Sequence, residues 1–396
     1  MVTHRFLVTL HENENMKQLL ADRKLAIGCL DTWLLSKLTL GAIYVTEPSS
    51  SSSTGLFDPY QKDWGYTILK LIHFPTQILP EITDTAGKVI ATSSPAIFGI
   101  PIQIGAMLGD QQAASFGCGC LRKGSVKICL GTGAFVDFHT GDSPLATMNG
   151  LYPLIGWRVD GETAFFAEGS SNDTSTILDW AKKIGLLDRI EDSSKIATEA
   201  ESDRGLHFVP AFSGIQTPIN DDNACCAFIG IRPETSKAQM VRAMLESIAF
   251  RIYQIWKTLL DDVNFEVGTV IRCCGGVSNN DFVCQTISTL LEHSLERVVE
   301  PQFVSAKGAA LLAGITSGLW SMKLIENQIK IDQIFHPDPQ EKHRLFLQFD
   351  QWRKASFRVN IRTNLNKVET RSLEFETLDT QFETIGEQPI LFTYNQ

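Results

Sequence analysis

The amino-acid sequence predicts an α/β fold in two domains, on three observations. First, a short apolar, strand-like run closed by a glycine turn occurs three times: Ile102–Leu108 before Gly109-Asp110, Val126–Leu130 before Gly131-Thr132-Gly133, and Val270–Cys274 before Gly275-Gly276. Second, helical patterns open just beyond the first and third turns, over Gln111–Phe116 and Asp281–Leu291. A strand, a glycine turn and a helix in succession favour parallel pairing. Third, 396 residues is long for one domain of about 100–200 residues and fits two. Ligands in such folds collect at the carboxyl ends of strands, where these turns fall.

Residues 1–24 are unassigned. Met1–Leu20 mixes polar and apolar residues, carries His4, Arg5, His11, Glu12 and Glu14, and does not read as a secretory signal. Asp31–Leu38 reads as an amphipathic helix with Trp33, Leu34 and Leu38 on one face and Gly41 as its stop. Ser49–Ser53, between Pro48 and Thr54-Gly55, reads as a loop. A composition shift over Gly117–Gly124 suggests the boundary between a first domain, 25–118, and a second, 122–322. In the second, Lys237–Leu260 keeps a helical period through Met240, Met244, Ile248, Ile252 and Ile255. Ala306–Ser317 is a small-residue helix of the kind that packs closely on a sheet. Residues 323–363 continue as a helical region, and 364–396 read as a loosely ordered polar tail.

Composition narrows the function. A formal charge of −10 argues against general nucleic-acid or anionic-membrane binding, and the apolar run Ile97–Leu108 is too short to span a bilayer. The nine cysteines lack the paired spacing of a zinc site and mostly sit in apolar runs, as expected of reduced thiols in a soluble cytoplasmic protein. The eight histidines hold no i, i+4 pair. A Gly-x-x-x-x-Gly-Lys-Ser/Thr loop and a Gly-x-Gly-x-x-Gly fingerprint are both absent, which disfavours P-loop nucleotidases and dinucleotide-binding dehydrogenases.

Three turns could carry chemistry. Asp110, at a strand end before a helix, could take a proton from a bound hydroxyl while the Gln111 amide orients it; the same position also suits a helix cap. Gly131-Thr132-Gly133 lets backbone N–H groups and a hydroxyl approach an anion, or is an ordinary tight turn. Gly275-Gly276, with Asn280 behind, suits a base or ribose lying against backbone, or a helix start capped by Ser278 or Asn279. Each is weak alone, but their order is not.

That order resembles the FGGY carbohydrate kinase family, on its glycerol kinase branch. The segments that carry the resemblance are LDTWLLSKLTLG (30–41), STGLFDPYQKDW (53–64), GDQQAASFG (109–117), KICLGTGAF (127–135), FVPAFSG (208–214), VRAMLESIAF (241–250), CCGGVSNNDFVCQ (273–285) and KGAALLAGITSGLW (307–320). The resemblance implies two actin-like (ribonuclease H-like) α/β domains with ATP between them, and Mg²⁺-dependent transfer of the γ-phosphoryl to glycerol. By the same resemblance Asp110 matches the catalytic base and a place for Mg²⁺. Asp110 and Gln111 match polyol-binding positions, and Phe135 packs on the glycerol carbons. Gly131 and Thr132 surround the ATP phosphates, and Gly275, Gly276 and Asn280 lie near the adenosine. A homodimer is expected by analogy.

The departures are specific. Ser175 and Asp179 stand where glycerol kinases have a glycine and a glutamine that help hold ATP, so a side chain narrows that wall and a negative charge is added. Pro218-Ile219-Asn220-Asp221 replaces a proline-tyrosine-tryptophan-aspartate stretch. The resemblance starts near Leu25, without the family's Asp-Gly-Thr-Thr phosphate loop and polyol-binding Arg-Glu pair. The first domain is therefore expected to be incomplete, with an open sheet edge and apolar face. Two other readings follow: a pseudokinase that binds nucleotide or a partner without catalysis, and a kinase for another polyol or sugar.

Overall fold

The computed structural model describes residues 2–145, 147–202, 205–263, 267–268 and 270–378, with side chains to residue 359. Its main sheet has seven strands: β1 Val126–Leu130, β2 Ala134–Gly141, β3 Tyr152–Val159, β4 Glu162–Ser171, β5 Ile271–Cys274, β6 Leu295–Val298 and β7 Ile331–Phe335. Their spatial order is β7-β6-β5-β1-β2-β4-β3. Only β1, β5 and β6 pair in parallel; every other neighbour is antiparallel. Within this sheet the expectation of parallel pairing thus holds at the centre only. The physical reason is local: Gly131-Thr132-Gly133 closes a hairpin from β1 into β2, and a tight hairpin can join only antiparallel strands.

Alternation along the strands sorts side chains to two faces. Val126, Ile128 and Leu130 of β1, with Val136 and Phe138 of β2, join one buried cluster with Ile248, Ile252, Ile255 and Trp256 of a long helix, Lys237–Asp262. Val283, Ile287 and Leu290 of Asp281–Leu291, and Phe349 and Trp352 of the last helix, complete it. The capping box expected of a strong helix start is present at Ser236 and Gln239. The opposite face is covered by α1 (Asp110–Gly117) and α2 (Val304–Thr316), where Phe116, Leu311 and Leu312 pack on Trp157, Val159 and Phe166.

These two helices touch backbone to backbone. A Cβ added to Gly308 would lie 1.9 Å from the Ala113 carbonyl oxygen, and one on Gly117 would lie 2.2 Å from that of Val304. The small-residue pattern of 306–317 serves this close approach as well as the sheet.

Three expectations are corrected. Ser49–Ser53 is not a loop: Pro48–Ser52 is a helix. Buried Glu47 caps it, accepting from the N–H groups of Ser49 (2.9 Å) and Ser50 (2.6 Å), while Pro48 occupies the first turn, where its missing N–H costs nothing. The strand expected over Ile102–Leu108 shrinks to Gln103–Ile104, paired with Ala91–Thr92; Ile104, Ala106, Met107 and Leu108 line a cleft. The last helix spans Pro339–Leu378, so the expected tail 364–396 is helical in its first part, and residues 379–396 lie outside the described residues.

The segment 1–24, unassigned from sequence, contains two helices, Val2–Glu12 and Glu14–Ala21, among its described residues. Phe6, Leu7 and Leu10 are buried there against Phe57, Trp64 and Phe74. Among the described residues no helix is long and apolar enough to cross a membrane. All nine cysteines are free thiols.

Candidate active site

A cleft of about 1090 Å³ opens at the ends of β1 and β5. It is bordered by Asp110, Gln111, Gly131, Thr132, Phe135 and Gly275, which are six of the site residues expected from sequence. Its size is that of a large small-molecule site.

Asp110 is the first residue of α1 and is exposed to the cleft. Gly109 holds the cap position, so Asp110 Oδ1 takes the next N–H, that of Gln111, at 2.8 Å. The turn is fixed on both sides. Gly109 N–H donates to Ser49 Oγ at 2.8 Å, and that hydroxyl donates to buried Glu47 at 2.5 Å. Ser305 Oγ of α2 donates to the Asp110 carbonyl at 2.9 Å. The Pro48–Ser52 helix therefore bears directly on the placement of Asp110.

At the β1–β2 turn, Gly131 N–H is spent on Gly133 O at 2.9 Å and Thr132 is exposed. A Cβ on Gly131 would meet only Gly133 O, at 3.7 Å, so this backbone leaves room for a ligand. The Ser175 N–H donates to the carbonyls of Gly131 and Thr132, both at 3.1 Å, which docks the start of a helix (Ser175–Lys183) on the turn. Asp179 is exposed one helical turn further on. Gly275 needs its freedom: its φ is +87°, and a Cβ would lie 2.5 Å from Leu130 O. Gly276 faces open space. Asn280 is buried as a helix cap, accepting from Val283 N–H at 3.1 Å and donating to Ser193 Oγ at 3.0 Å. Gly276, Asn280, Ser175 and Asp179 do not border this cleft.

The floor holds what motif reading missed. Strand register sets Glu296, Arg272, Lys127, Asp137 and Glu168 side by side across β6, β5, β1, β2 and β4. Arg272 pairs with Glu296 at 2.8 Å and donates to the Cys118 carbonyl at 2.7 Å, just past the end of α1. Lys127 and Asp137 form a buried pair at 2.5 Å under its start. Burial alone would lower the Lys127 pKa; the Asp137 carboxylate, with the Cys129 and Cys274 thiols beside it, offsets that and raises the value. Burial, and then Asp137, hold Glu168 well above the ordinary carboxylate range. A proton on Glu168 also suits the buried Asp137 Oδ1, which has no hydrogen-bond partner among the described residues. The available signal was a lone charge inside an apolar strand, as in VKICL, AFVDF and FFAEG, because such charges are rarely buried unless paired.

Comparison with known proteins places this geometry. The FGGY family of carbohydrate kinases matches in two parts, its N-terminal domain at residues 5–117 and its C-terminal domain at 126–317. The first match includes most of the segment left unassigned from sequence. Glycerol kinase 5 of Bos taurus is 38% identical over 355 residues, which is 89% of this chain and 66% of that protein. Glycerol kinase of Listeria welshimeri is 34% identical over 334 residues, 84% of this chain and 67% of that protein. This chain thus spans just under two thirds of the length of the first of these relatives. The crystal structure of Plasmodium falciparum glycerol kinase with ADP superposes with a TM-score of 0.79 at 29% identity, covering 89% of this chain and 70% of that one. A xylulose kinase from Lactobacillus acidophilus, at 21% identity and a TM-score of 0.71, shares the fold over 83% of this chain and 67% of its own. With the same fold, and both family domains matched in order along it, this protein belongs to the FGGY family of carbohydrate kinases.

Proposed function

We propose that this protein transfers the γ-phosphoryl group of ATP to a hydroxyl of a small polyol, with glycerol as the favoured acceptor and the reducing cytoplasm, which suits nine free thiols, as its location. One observation carries the reading: Asp110 and the Gly131-Thr132-Gly133 turn border one cleft, an acceptor carboxylate facing a backbone turn open to a ligand. In this reading the polyol hydroxyl donates to the Asp110 carboxylate, which takes its proton as the oxygen attacks phosphorus. Gln111 orients the hydroxyl, and Phe135 offers an apolar wall to the carbon chain. The phosphates lie on the Gly131–Gly133 turn, with the nucleoside toward Gly275 and Gly276.

Mg²⁺ suits the residues present. Asp110 is a hard oxygen donor at the cleft, and Mg²⁺ is commonly held by one or two carboxylates together with nucleotide phosphates. Bound there, the ion would neutralise charge developing on the phosphates.

The test is a purified-protein assay with ATP, Mg²⁺ and a panel of polyols and sugars. Glycerol phosphorylation is expected, and Asp110→Asn should lower it by roughly 10²–10⁴-fold. A second reading, nucleotide binding without transfer, is favoured by Ser175, whose side chain stands at the helix start docked on the Gly131–Gly133 turn. Nucleotide binding with no turnover of any polyol would establish that reading instead.

A further inference from the structure

We propose that Lys127 is a positioning residue that fixes the polarity of the Gln111 amide, so that the cleft recognises a hydroxyl specifically. The inference rests on the kinase reading only for the identity of the ligand.

An ammonium has three donors, and Lys127 Nζ meets three acceptors: Gln111 O at 3.1 Å, Gln111 Oε1 at 2.7 Å and Asp137 Oδ2 at 2.5 Å. The ammonium is saturated, and it occupies one lone pair of the Gln111 amide oxygen. The reverse orientation would set an amide NH₂ against an ammonium, donor against donor, so only one of the two amide orientations is compatible with Lys127. Nε2 of Gln111 then has no protein partner among the described residues, on a residue that borders the cleft. Through Nε2, Gln111 presents a donor there.

Asp110, the preceding residue, is the opposite. Its carboxylate accepts only, and one of its oxygens is occupied by the Gln111 N–H. An acceptor and a donor from successive residues match a group that can both donate and accept. An alcohol does so. A carbonyl cannot donate to Asp110, and an ammonium cannot accept from Gln111.

The support beneath is rigid. Ser115, four residues beyond Gln111 on the same face of α1, donates to Asp137 Oδ2 at 2.9 Å, so two successive turns of this helix are tied to one buried ion pair. Lys127 acts through Gln111 rather than on the ligand.

Lys127→Met alone would strand Asp137 as a buried unpaired charge and could unfold the chain, so the test uses the double variant Lys127→Met/Asp137→Asn in the full chain. The first readout needs no turnover. With glutamine-selective ¹⁵N labelling, the Gln111 side-chain amide is assigned by its loss in Gln111→Leu. In the unsubstituted protein it should lie away from the solvent-exposed glutamines, and in the double variant it should move onto them. The second readout is kinetic. The KM for glycerol should rise by roughly tenfold or more, well beyond any fall in kcat, with the KM for ATP within about twofold. Gln111→Glu keeps a partner for Lys127 but removes the donor, and should lose glycerol as severely as Gln111→Leu. An amide signal unchanged by the double variant, or full glycerol affinity in Gln111→Glu, overturns the proposal. Absence of alcohol turnover in the unsubstituted protein would overturn the kinase reading, and the amide signal would still decide Lys127.

Discussion

Gly308→Ala gives the sharpest measure of how Asp110 is held. In an exposed helix this change stabilises by up to about 1 kcal/mol, because glycine loses more backbone freedom on folding. Here the new methyl group would lie 1.9 Å from the Ala113 carbonyl oxygen and 2.8 Å from Gly117 N, against the 3.4 Å or more of an ordinary contact. Helices α1 and α2 must therefore part by about 1.5 Å. Both contacts are to backbone, so no side chain can swing aside. Overpacking of this kind costs about 1–3 kcal/mol, occasionally more, which outweighs the helix-propensity gain. We expect a net loss of about 1–2 kcal/mol, read as a lower urea midpoint at unchanged slope. The separation also pulls Ser305 from the Asp110 carbonyl, now 2.9 Å away, so phosphoryl transfer should fall by more than the lost folded fraction explains. A variant as stable as the parent protein would refute the close approach. A destabilised variant with unchanged kcat would refute the claim that this helix pair positions Asp110.

Two further outcomes are expected. His139 is buried between Trp157 and Phe166, accepts the Gly141 N–H at Nδ1 (3.0 Å), and is pushed down by burial to about 4. Its unfolded value is about 6.5, so the unfolded chain binds the extra proton, and stability is lost as pH falls from about 6.5 toward 4, by up to about 3 kcal/mol. Denaturant titrations should show that loss relative to His139→Gln, and a pH-independent difference between the two would contradict it. Asp179→Gln removes an exposed negative charge from the helix docked on the Gly131–Gly133 turn. ADP affinity should rise by roughly two- to fivefold at low salt and by less at high salt, measured by calorimetry, and an unchanged affinity would detach Asp179 from the nucleotide site.

Where the signal is local, the sequence was a sufficient guide. Val126–Leu130 and Asp281–Leu291 fold within the bounds their periodicity implies, because apolar alternation, a helical period and flanking turn residues act over a few neighbours. The order of the three glycine turns likewise pointed to the cleft that Asp110, Gly131 and Gly275 share. The local signal misled at Ser49–Ser53, where serine composition suggests a loop but a buried carboxylate at Glu47 satisfies the helix's free N–H groups. Nothing in the run itself reveals that Glu47 is buried.

The sequence by itself determined the family, the unit of strand, glycine turn and helix from Ile271 to Leu291, and Asp110 as one carboxylate to seek at a cleft. Tertiary structure alone decided what holds that residue and the amide beside it. Lys127 meets Gln111 across 16 positions of chain, and Gly117 meets α2 across nearly two hundred, through strand register and helix approach that no short window contains. The physical reason is that a buried charge or a missing side chain has meaning only through its partner, and the partner is chosen by the fold.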